Sequence, residues 1–450
     1  GLSLMQLVNH LFERGEIDAA ARSQVLRLSR AWGSPAHPLL RIFGMVTPEA
    51  YLAAYARVFG CRRAPVVELE HDARFAAIVP WETWRRALAL PVKQADGSSA
   101  IAAVDPVNLP PELRNSGVEC LLMLEEEWVE LTGKFLGAGF LDEAVNGLAR
   151  RHPELSARRT FTTAQLGAAW LAGTAFLAAL WLDARLTLIV ANTALNAFFA
   201  LCVAFKTLLA FVGSTRNISQ KVSPQEIERL DPRELPVYTI LVPVYKEPSV
   251  VPHLIRQLAS LNYPLNKLDV KVLLESGDEE TISAFRAANP PPNFHAIIVP
   301  DAQPKTKPKA CNYGLFFANG DYLAIYDAED LPEPDQLEKV VIAFRKLPEK
   351  VVCVQGCLNY FNWRDNLLTR MFTLEYSGWF DYNLPGMEAL GVPIPLGGTS
   401  NHFKIDRLRA LGAWDPFNVT EDADLGLRAS ARGYTVATID STTYEEANCA

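Results

Sequence analysis

The chain has 450 residues, a formal net charge of −8 at neutral pH and an apolar fraction of 49%. That length holds two or three domains with buried cores. The acidic balance excludes a DNA or RNA partner, since nucleic-acid binders concentrate basic charge on one face.

Cysteines stand at 61, 120, 202, 311, 353, 357 and 449. They show neither CxxC pairing nor the density of a disulfide scaffold, and so read as reduced thiols on the cytosolic side. Cys353 and Cys357 flank an expected strand and read as core packing.

Residues 1–150 read as a soluble α+β unit. Helical apolar spacing covers residues 4–14, 19–32 and 48–59, the last with Thr47 as N-cap. Short strands are expected at 65–69, 87–94, 99–105 and 119–124. Two apolar runs follow, 161–182 without any charge and 186–212 with only Lys206. Each is long enough to cross the hydrocarbon core as a helix. Only Asp183-Ala184-Arg185 separates them, which predicts a transmembrane hairpin spanning 160–213. Arg150, Arg151, Arg158 and Arg159 before it, with Arg216 and Lys221 after it, put both soluble parts in the cytoplasm by the positive-inside bias. The expected location is therefore a bacterial inner membrane, crossed more than once. Asn192, Asn196 and Lys206 are polar exceptions, expected to face other helices or to snorkel. Residues 214–236, with prolines at 224, 232 and 236, read as a linker.

From 237 to 450 strands and helices alternate as in a mostly parallel α/β sheet. Strands are expected at 237–242, 270–274, 296–299 and 322–326, and helices at 248–260, 279–287 and 309–318. Ligands of such sheets bind beyond the carboxyl ends of the strands, so Tyr245, Glu247, Glu275, Asp278 and Asp327 should converge on one crevice.

Four stretches then stand out: the strand-and-turn 238–248, the acidic cluster Asp327-Ala328-Glu329-Asp330, the segment Pro395-Leu396-Gly397-Gly398-Thr399-Ser400-Asn401, and Thr420-Glu421-Asp422. In order and spacing they resemble the processive family-2 glycosyltransferases, the cellulose- and hyaluronan-synthase group. That resemblance implies a GT-A fold and transfer from a nucleoside diphosphate sugar, a UDP-sugar in the first instance, with inversion. Asp327 and Glu329 stand where the family has Asp-x-Asp, which implies Mg²⁺ or Mn²⁺ as cofactor. The metal neutralises charge on the leaving diphosphate. The Glu is a departure and leaves open whether Glu329 ligates directly, through water, or yields to Asp330. Asp422 is implied as the general base that deprotonates the acceptor. The Lys-Ala-x-x-Asn element implies Lys309 near the diphosphate, with a solvated surface lysine as the other reading. Tyr245, Glu247, Glu275 and Asp278 are implied in holding the nucleoside, and Gly398, Thr399, Ser400 and Glu421 in meeting the acceptor glycan. Trp379, Phe380 and Tyr382 could stack on sugar, though residues 367–380 read as an amphipathic helix on a membrane surface.

The first 150 residues resemble the N-terminal domain of type II secretion ATPases, through 53–60, 78–80, 89–92 and 102–106. In relatives that module can bind cyclic di-GMP, but its opening motif is degraded here to Leu4-Met5-Gln6-Leu7-Val8 and Pro38-Leu39-Leu40-Arg41-Ile42. Docking is therefore the favoured role. The Gln-x-x-Arg-Trp element of processive relatives does not occur before Ala450, and the chain opens on Gly1, so a piece of a longer protein is expected. Elongation of a β-linked exopolysaccharide is the reading adopted. A single transfer to a lipid phosphate, or a cyclic-dinucleotide sensor or assembly protein with a relic transferase domain, are its rivals.

Overall fold

The computed structural model describes residues 2–216 and 218–447, so that Cys449 and the chain end at Ala450 lie outside it. Helices Leu2–Glu13, Ala19–Trp32, Ala36–Ile42 and Pro48–Phe59 open the fold. Asp18 accepts from Ala21 N at 2.7 Å and Thr47 from Ala50 N at 3.2 Å, so each helix begins on a side-chain cap. Gly33 and Gly60 end the same two helices at φ 63° and 69°, a left-handed conformation open to glycine.

A five-stranded sheet follows, built from β1 (Arg62–Arg63), β2 (Glu70–His71), β3 (Ala89–Lys93), β4 (Ser99–Ala103) and β5 (Glu119–Leu122). Its order is β1-β5-β4-β3-β2. The strand expected at 65–69 does not form; Val66–Glu68 is a 3₁₀ turn between two-residue strands. Pro65 cannot donate to a ladder, and Val67, 90% exposed, has no core to face. After β5 comes a 27-residue helix, Glu125–Arg151, that the sequence reading missed. Its three leading glutamates favour the positive end of the helix dipole. Trp128 and Phe140 on this helix pack against Phe317, and Phe140 stacks on Phe316 at 4.3 Å. One apolar core therefore runs from Leu90 through Trp128 to Leu323, shared by both sheets.

The second sheet has eight strands: β6 (Tyr238–Val244), β7 (Leu268–Glu275), β8 (Phe294–Val299), β9 (Tyr322–Ile325), β10 (Leu331–Pro332), β11 (Val351–Tyr360), β12 (Asn401–Lys404) and β13 (Thr435–Glu445). The order is β10-β13-β11-β12-β9-β6-β7-β8. Four neighbouring pairs are parallel and three antiparallel, so the sheet is mixed rather than mostly parallel. The cause is β12, which pairs Asn401 with Ile325 and Lys404 with Tyr322. After helix Leu384–Leu390 the loop 391–400 brings the chain in at the carboxyl end of β9, from which β12 runs back antiparallel. That return carries Gly398 across the ends of the parallel strands.

Helices Thr163–Leu182 and Ala184–Thr215, separated by Asp183, are long and apolar enough to cross a membrane. Trp170, Leu171, Phe198 and Phe199 stand exposed along them. Of the polar exceptions, Asn192 and Asn196 meet within one helix, where Asn196 Nδ2 donates to Asn192 O at 2.8 Å. Only the last turns of the second helix are buried, at Leu209, Val212 and Gly213. There they cross helix Leu384–Leu390 at glycine on both sides. A Cβ on Gly213 would overlap the Tyr382 carbonyl, and one on Gly386 the Leu209 carbonyl. Gly213→Ala and Gly386→Ala should each destabilise by about 1–3 kcal/mol, because backbone cannot move aside as a side chain can. Gly173→Ala, with open space around it, should cost nothing. Thermal unfolding of the three variants in detergent measures the difference.

Candidate active site

The carboxyl ends of β6, β7 and β9 open into a cavity of about 290 Å³ lined by Tyr245, Glu247, Glu275, Lys305, Lys307, Asp327 and Glu329. A larger cleft, about 1120 Å³, lies between the first helices and the outer strand β8. It holds none of these side chains.

The wall of the small cavity is built first. Lys246 has φ 57°, and Asp278 holds that turn by accepting its backbone N–H at 2.5 Å and that of Thr281 at 3.3 Å. Burial raises the Asp278 carboxyl, but the Lys246 and Thr281 donors outweigh it and keep the group below the usual range. Lys309 is fully buried, and its Nζ lies 3.0 Å from both Glu275 carboxylate oxygens and 3.2 Å from Ala302 O. Lys309 and Asp278 are thus spent within the wall, not presented to a nucleotide as the resemblance implied, while Glu275 is paired with Lys309 and still lines the cavity. The lysines that reach the cavity are Lys305 and Lys307. Lys305 and Lys246 place their ammonium groups 5.9 and 5.2 Å from the centre of the Tyr245 ring.

Asp327 follows β9 directly, and Lys307 Nζ bridges its Oδ1 to Gly398 O, the latter at 2.7 Å. Glu329 is exposed beside it. Asp330 turns inward: its Oδ2 accepts from Asp327 N at 2.7 Å and from Thr399 Oγ1, while Oδ1 has no partner among the described residues. Burial first, then the neighbouring Asp327 charge, push this carboxyl up to about 8.

Thr399 and Ser400 are buried, and their hydroxyls go to Ile325 O, Asp330 and Thr443. They hold the loop rather than meet an acceptor. Gly398 alone of the three is exposed, and a Cβ there would stand 3.4 Å from Asp422 Oδ2. Asp422 lies in the first turn of helix Glu421–Ala431. Thr420 occupies the N-cap position without a capping bond, since its hydroxyl donates to Asn418 Oδ1 at 3.1 Å. Asp422 Oδ1 accepts from Ala423 N at 2.7 Å, which leaves Oδ2 toward Gly398. Of the three rings once considered for stacking, Phe380 is buried against Gly397, within the π-helical turn Gly378–Asn383.

Charge ties these groups into one site. Burial first, then Glu329 and Asp327, raise the Glu247 carboxyl. Glu421 is raised by burial and by Asp422 and Asp327, against Lys307 and a backbone bond that lower it. Glu445 was missed by the sequence reading. Burial, then Asp327 and Glu329, raise it, with Tyr376 and Tyr360 pulling the other way. The signal for it lay in topology, because β13 pairs Tyr444 with Leu331, just past the acidic cluster. All the ligating atoms here are hard oxygens in excess of positive charge, a donor set that suits a divalent cation at Asp327 and Glu329. A second grouping, Glu125, Asp269 and His295, lies at the opposite end of β7. It is closed by ion pairs: His295 Nε2 is 3.1 Å from Glu125, and Lys271 Nζ is 2.8 Å from Asp269, though off the line of a hydrogen bond.

Residues 235–447 match the family described as glycosyltransferase like family 2. This stretch is similar to family-2 glycosyltransferase domains, and it holds the mixed eight-stranded sheet. A probable glycosyltransferase, YdaM, of Bacillus subtilis (strain 168) is 26% identical over 45% of this chain and 48% of its own length. Glucomannan 4-beta-mannosyltransferase 7 of Arabidopsis thaliana is 25% identical over 46% of this chain and 38% of its own length. The chain thus spans less than half of either relative. A solved mannosyltransferase, PcManGT from Pyrobaculum calidifontis in complex with GDP-Man and Mn²⁺, is 24% identical at a TM-score of 0.44, covering 58% of this chain and 68% of that one.

Two predictions follow from the wall. Lys309→Met leaves a buried Glu275 charge unpaired and should destabilise the protein by about 3–5 kcal/mol, whereas Lys307→Met, in the open cavity, should leave unfolding by urea almost unchanged. The raised Asp330 carboxyl contributes stability that is whole below the ordinary aspartate value of 3.8 and is lost as pH rises through about 8. Asp330→Asn should therefore gain on the wild type as pH rises across that window, measured by the same urea titrations.

Proposed function

We propose that the chain is a membrane-bound, inverting glycosyltransferase that moves a sugar from a nucleoside diphosphate sugar, a UDP-sugar in the first instance, onto a growing β-linked exopolysaccharide. One observation carries the reading: the Asp422 carboxylate faces Gly398, whose carbonyl is bridged by Lys307 to Asp327. A base and a leaving-group site are within the span of one ammonium group.

In this reading the nucleoside lies in the small cavity against Tyr245 and Glu247, and the diphosphate points toward Lys305 and Lys307. Asp327 and Glu329 would hold Mg²⁺ or Mn²⁺, which supplies neutralisation of charge on the departing diphosphate. Lys307, beside Asp327 and the Gly398 carbonyl, offers its ammonium group to the phosphate oxygens. The acceptor glycan approaches over Gly398, where the lack of a side chain leaves room, and Asp422 takes the proton of its hydroxyl as the new bond forms. Glu421, raised and half-buried beside Asp422, helps to hold the acceptor.

The two long apolar helices carry the membrane reading. Helix Leu367–Ser377 adds to it, since Leu367, Leu368, Met371 and Leu374 are more than half exposed. It runs through the π-helical turn into the helix that grips the end of Ala184–Thr215, which sets it at the lipid surface. The head serves docking rather than cyclic di-GMP binding, because Leu7, Val8, Leu39 and Leu40 of the degraded motif are fully buried in its core.

Titration calorimetry with UDP and GDP tests the donor site. Affinity should rise with Mn²⁺ over chelator, and Asp327→Ala should abolish that rise; equal affinity in both conditions would sink the metal assignment. Asp422→Asn should keep nucleotide affinity while release of nucleoside diphosphate from UDP- and GDP-hexoses falls by about 10²- to 10⁴-fold. Loss of affinity with an unchanged rate would make Asp422 a donor ligand instead.

A further inference from the structure

Asp415 is fully buried yet takes no part in the chemistry proposed above. Its carboxylate accepts three hydrogen bonds, from Ser156 Oγ at 3.1 Å, Ala157 N at 2.5 Å and Phe417 N at 3.2 Å. The first two donors come from 259 and 258 positions earlier in the chain. They sit in the short segment between helix Glu125–Arg151 and the first apolar helix, Thr163–Leu182. The next residue in that segment, Arg158, places its guanidinium 5.4 Å from the centre of the Phe417 ring. A buried carboxylate is tolerated only when its oxygens are met by donors, so this segment and the loop hold each other in one register.

The loop leads straight into Asp422. Asn418 N donates to Asp415 O at 3.1 Å, and Asn418 Oδ1 accepts from Thr420 N at 3.0 Å, the residue before helix Glu421–Ala431. From that helix Arg428 reaches back to Leu411 O at 2.7 Å and Ala413 O at 2.5 Å. The loop is therefore clamped where it starts and where it ends, and Asp415 is the point at which it meets the entry to the first apolar helix.

We propose that Asp415 is a positioning residue for Asp422, through which residues 156–158 set the place of that carboxylate against Gly398. The proposal rests on the reading of Asp422 as the base. A displacement of the entry segment would move Asp415, then the start of helix Glu421–Ala431. A misplacement of about 1 Å there costs on the order of 10²-fold in rate without touching the donor cavity.

The test uses the full chain in detergent, with Asp415→Asn, which turns one accepting oxygen into a donor, and the milder Ser156→Ala. Backbone amides 417–424 should exchange hydrogen faster in both variants, while those of helix Lys307–Leu315 keep their protection. Affinity for UDP and GDP, and KM for the hexose donor, should stay within about twofold. The kcat for nucleoside diphosphate release should fall by about 10²-fold for Asp415→Asn and less for Ser156→Ala. In an Asp422→Asn background neither change should lower the rate further, because a residue acting through Asp422 has nothing left to position. Wild-type kcat in both variants overturns the proposal. So does multiplication of the two losses in the double variants, or loss of nucleotide affinity, each of which marks general damage to the fold. A normal rate in Asp422→Asn alone would instead remove the base assignment, and is read separately from the Asp415 variants.

Discussion

Repulsion among carboxylates governs this molecule. Glu247, Asp327, Glu329, Glu421, Asp422 and Glu445 arrive from four separate segments, and four of the six are partly buried. Three of them, Glu247, Glu421 and Glu445, are raised by their acidic neighbours on top of burial. Lys307 is the ammonium group that bridges two sides of the crevice, through Asp327 and the Gly398 carbonyl. Such an arrangement stores a demand for positive charge, and a donor site for a dianionic diphosphate must supply it before the anion can enter. The wall behind it is neutralised internally, by Lys309 on Glu275 and by backbone donors on Asp278. The unmet charge is thereby confined to the face that opens to solvent.

How far this could be read in the sequence depends on what each residue needed. The strands that end at Tyr245, Glu275 and Asp327 were legible from apolar runs bounded by polar residues, and the crevice followed from their parallel order. Asp422 and Gly398 were legible as motifs and do face each other. Lys309 misled because a motif names a residue type and not its depth: two residues along one helix separate the partly buried Lys307, which reaches the cavity, from the fully buried Lys309. Thr399 and Ser400 were misjudged for the same reason, since small polar residues serve a buried hydrogen-bond network as readily as a ligand. Helix Glu125–Arg151 was missed because its apolar and charged residues are spread around it, with glycines at 133, 137, 139 and 147, and so it lacks the one-sided stripe of a surface helix. Glu445 and Asp415 depend on partners far away in the chain, which no local pattern carries.

The missed helix changes how the first part of the chain is understood. Asn312 Nδ2 donates to both Ala144 O on that helix and Trp414 O in the loop before Asp422, at 3.0 and 2.7 Å. Tyr313 lies against Gly137, where a Cβ would come within 2.9 Å of its hydroxyl. The helix whose first turn carries Lys307 is thus backed by the head along its length. Removing the first 150 residues would take away Trp128 and Phe140, expose Phe316 and Phe317, and loosen the floor of the small cavity.

The second apolar helix has 32 residues, about 48 Å of rise, against a hydrocarbon core of about 30 Å. Its first neighbour, with 20 residues, matches that thickness with nothing to spare. The surplus of the longer helix is a rigid post some three turns tall, and its glycine crossing with Leu384–Leu390 fastens the catalytic body to the top of it. In the membrane-bound reading proposed above, a fixed post of that height would keep the crevice at a constant altitude above the lipid, so that a glycan leaving the site would cover the same distance to the bilayer at every cycle.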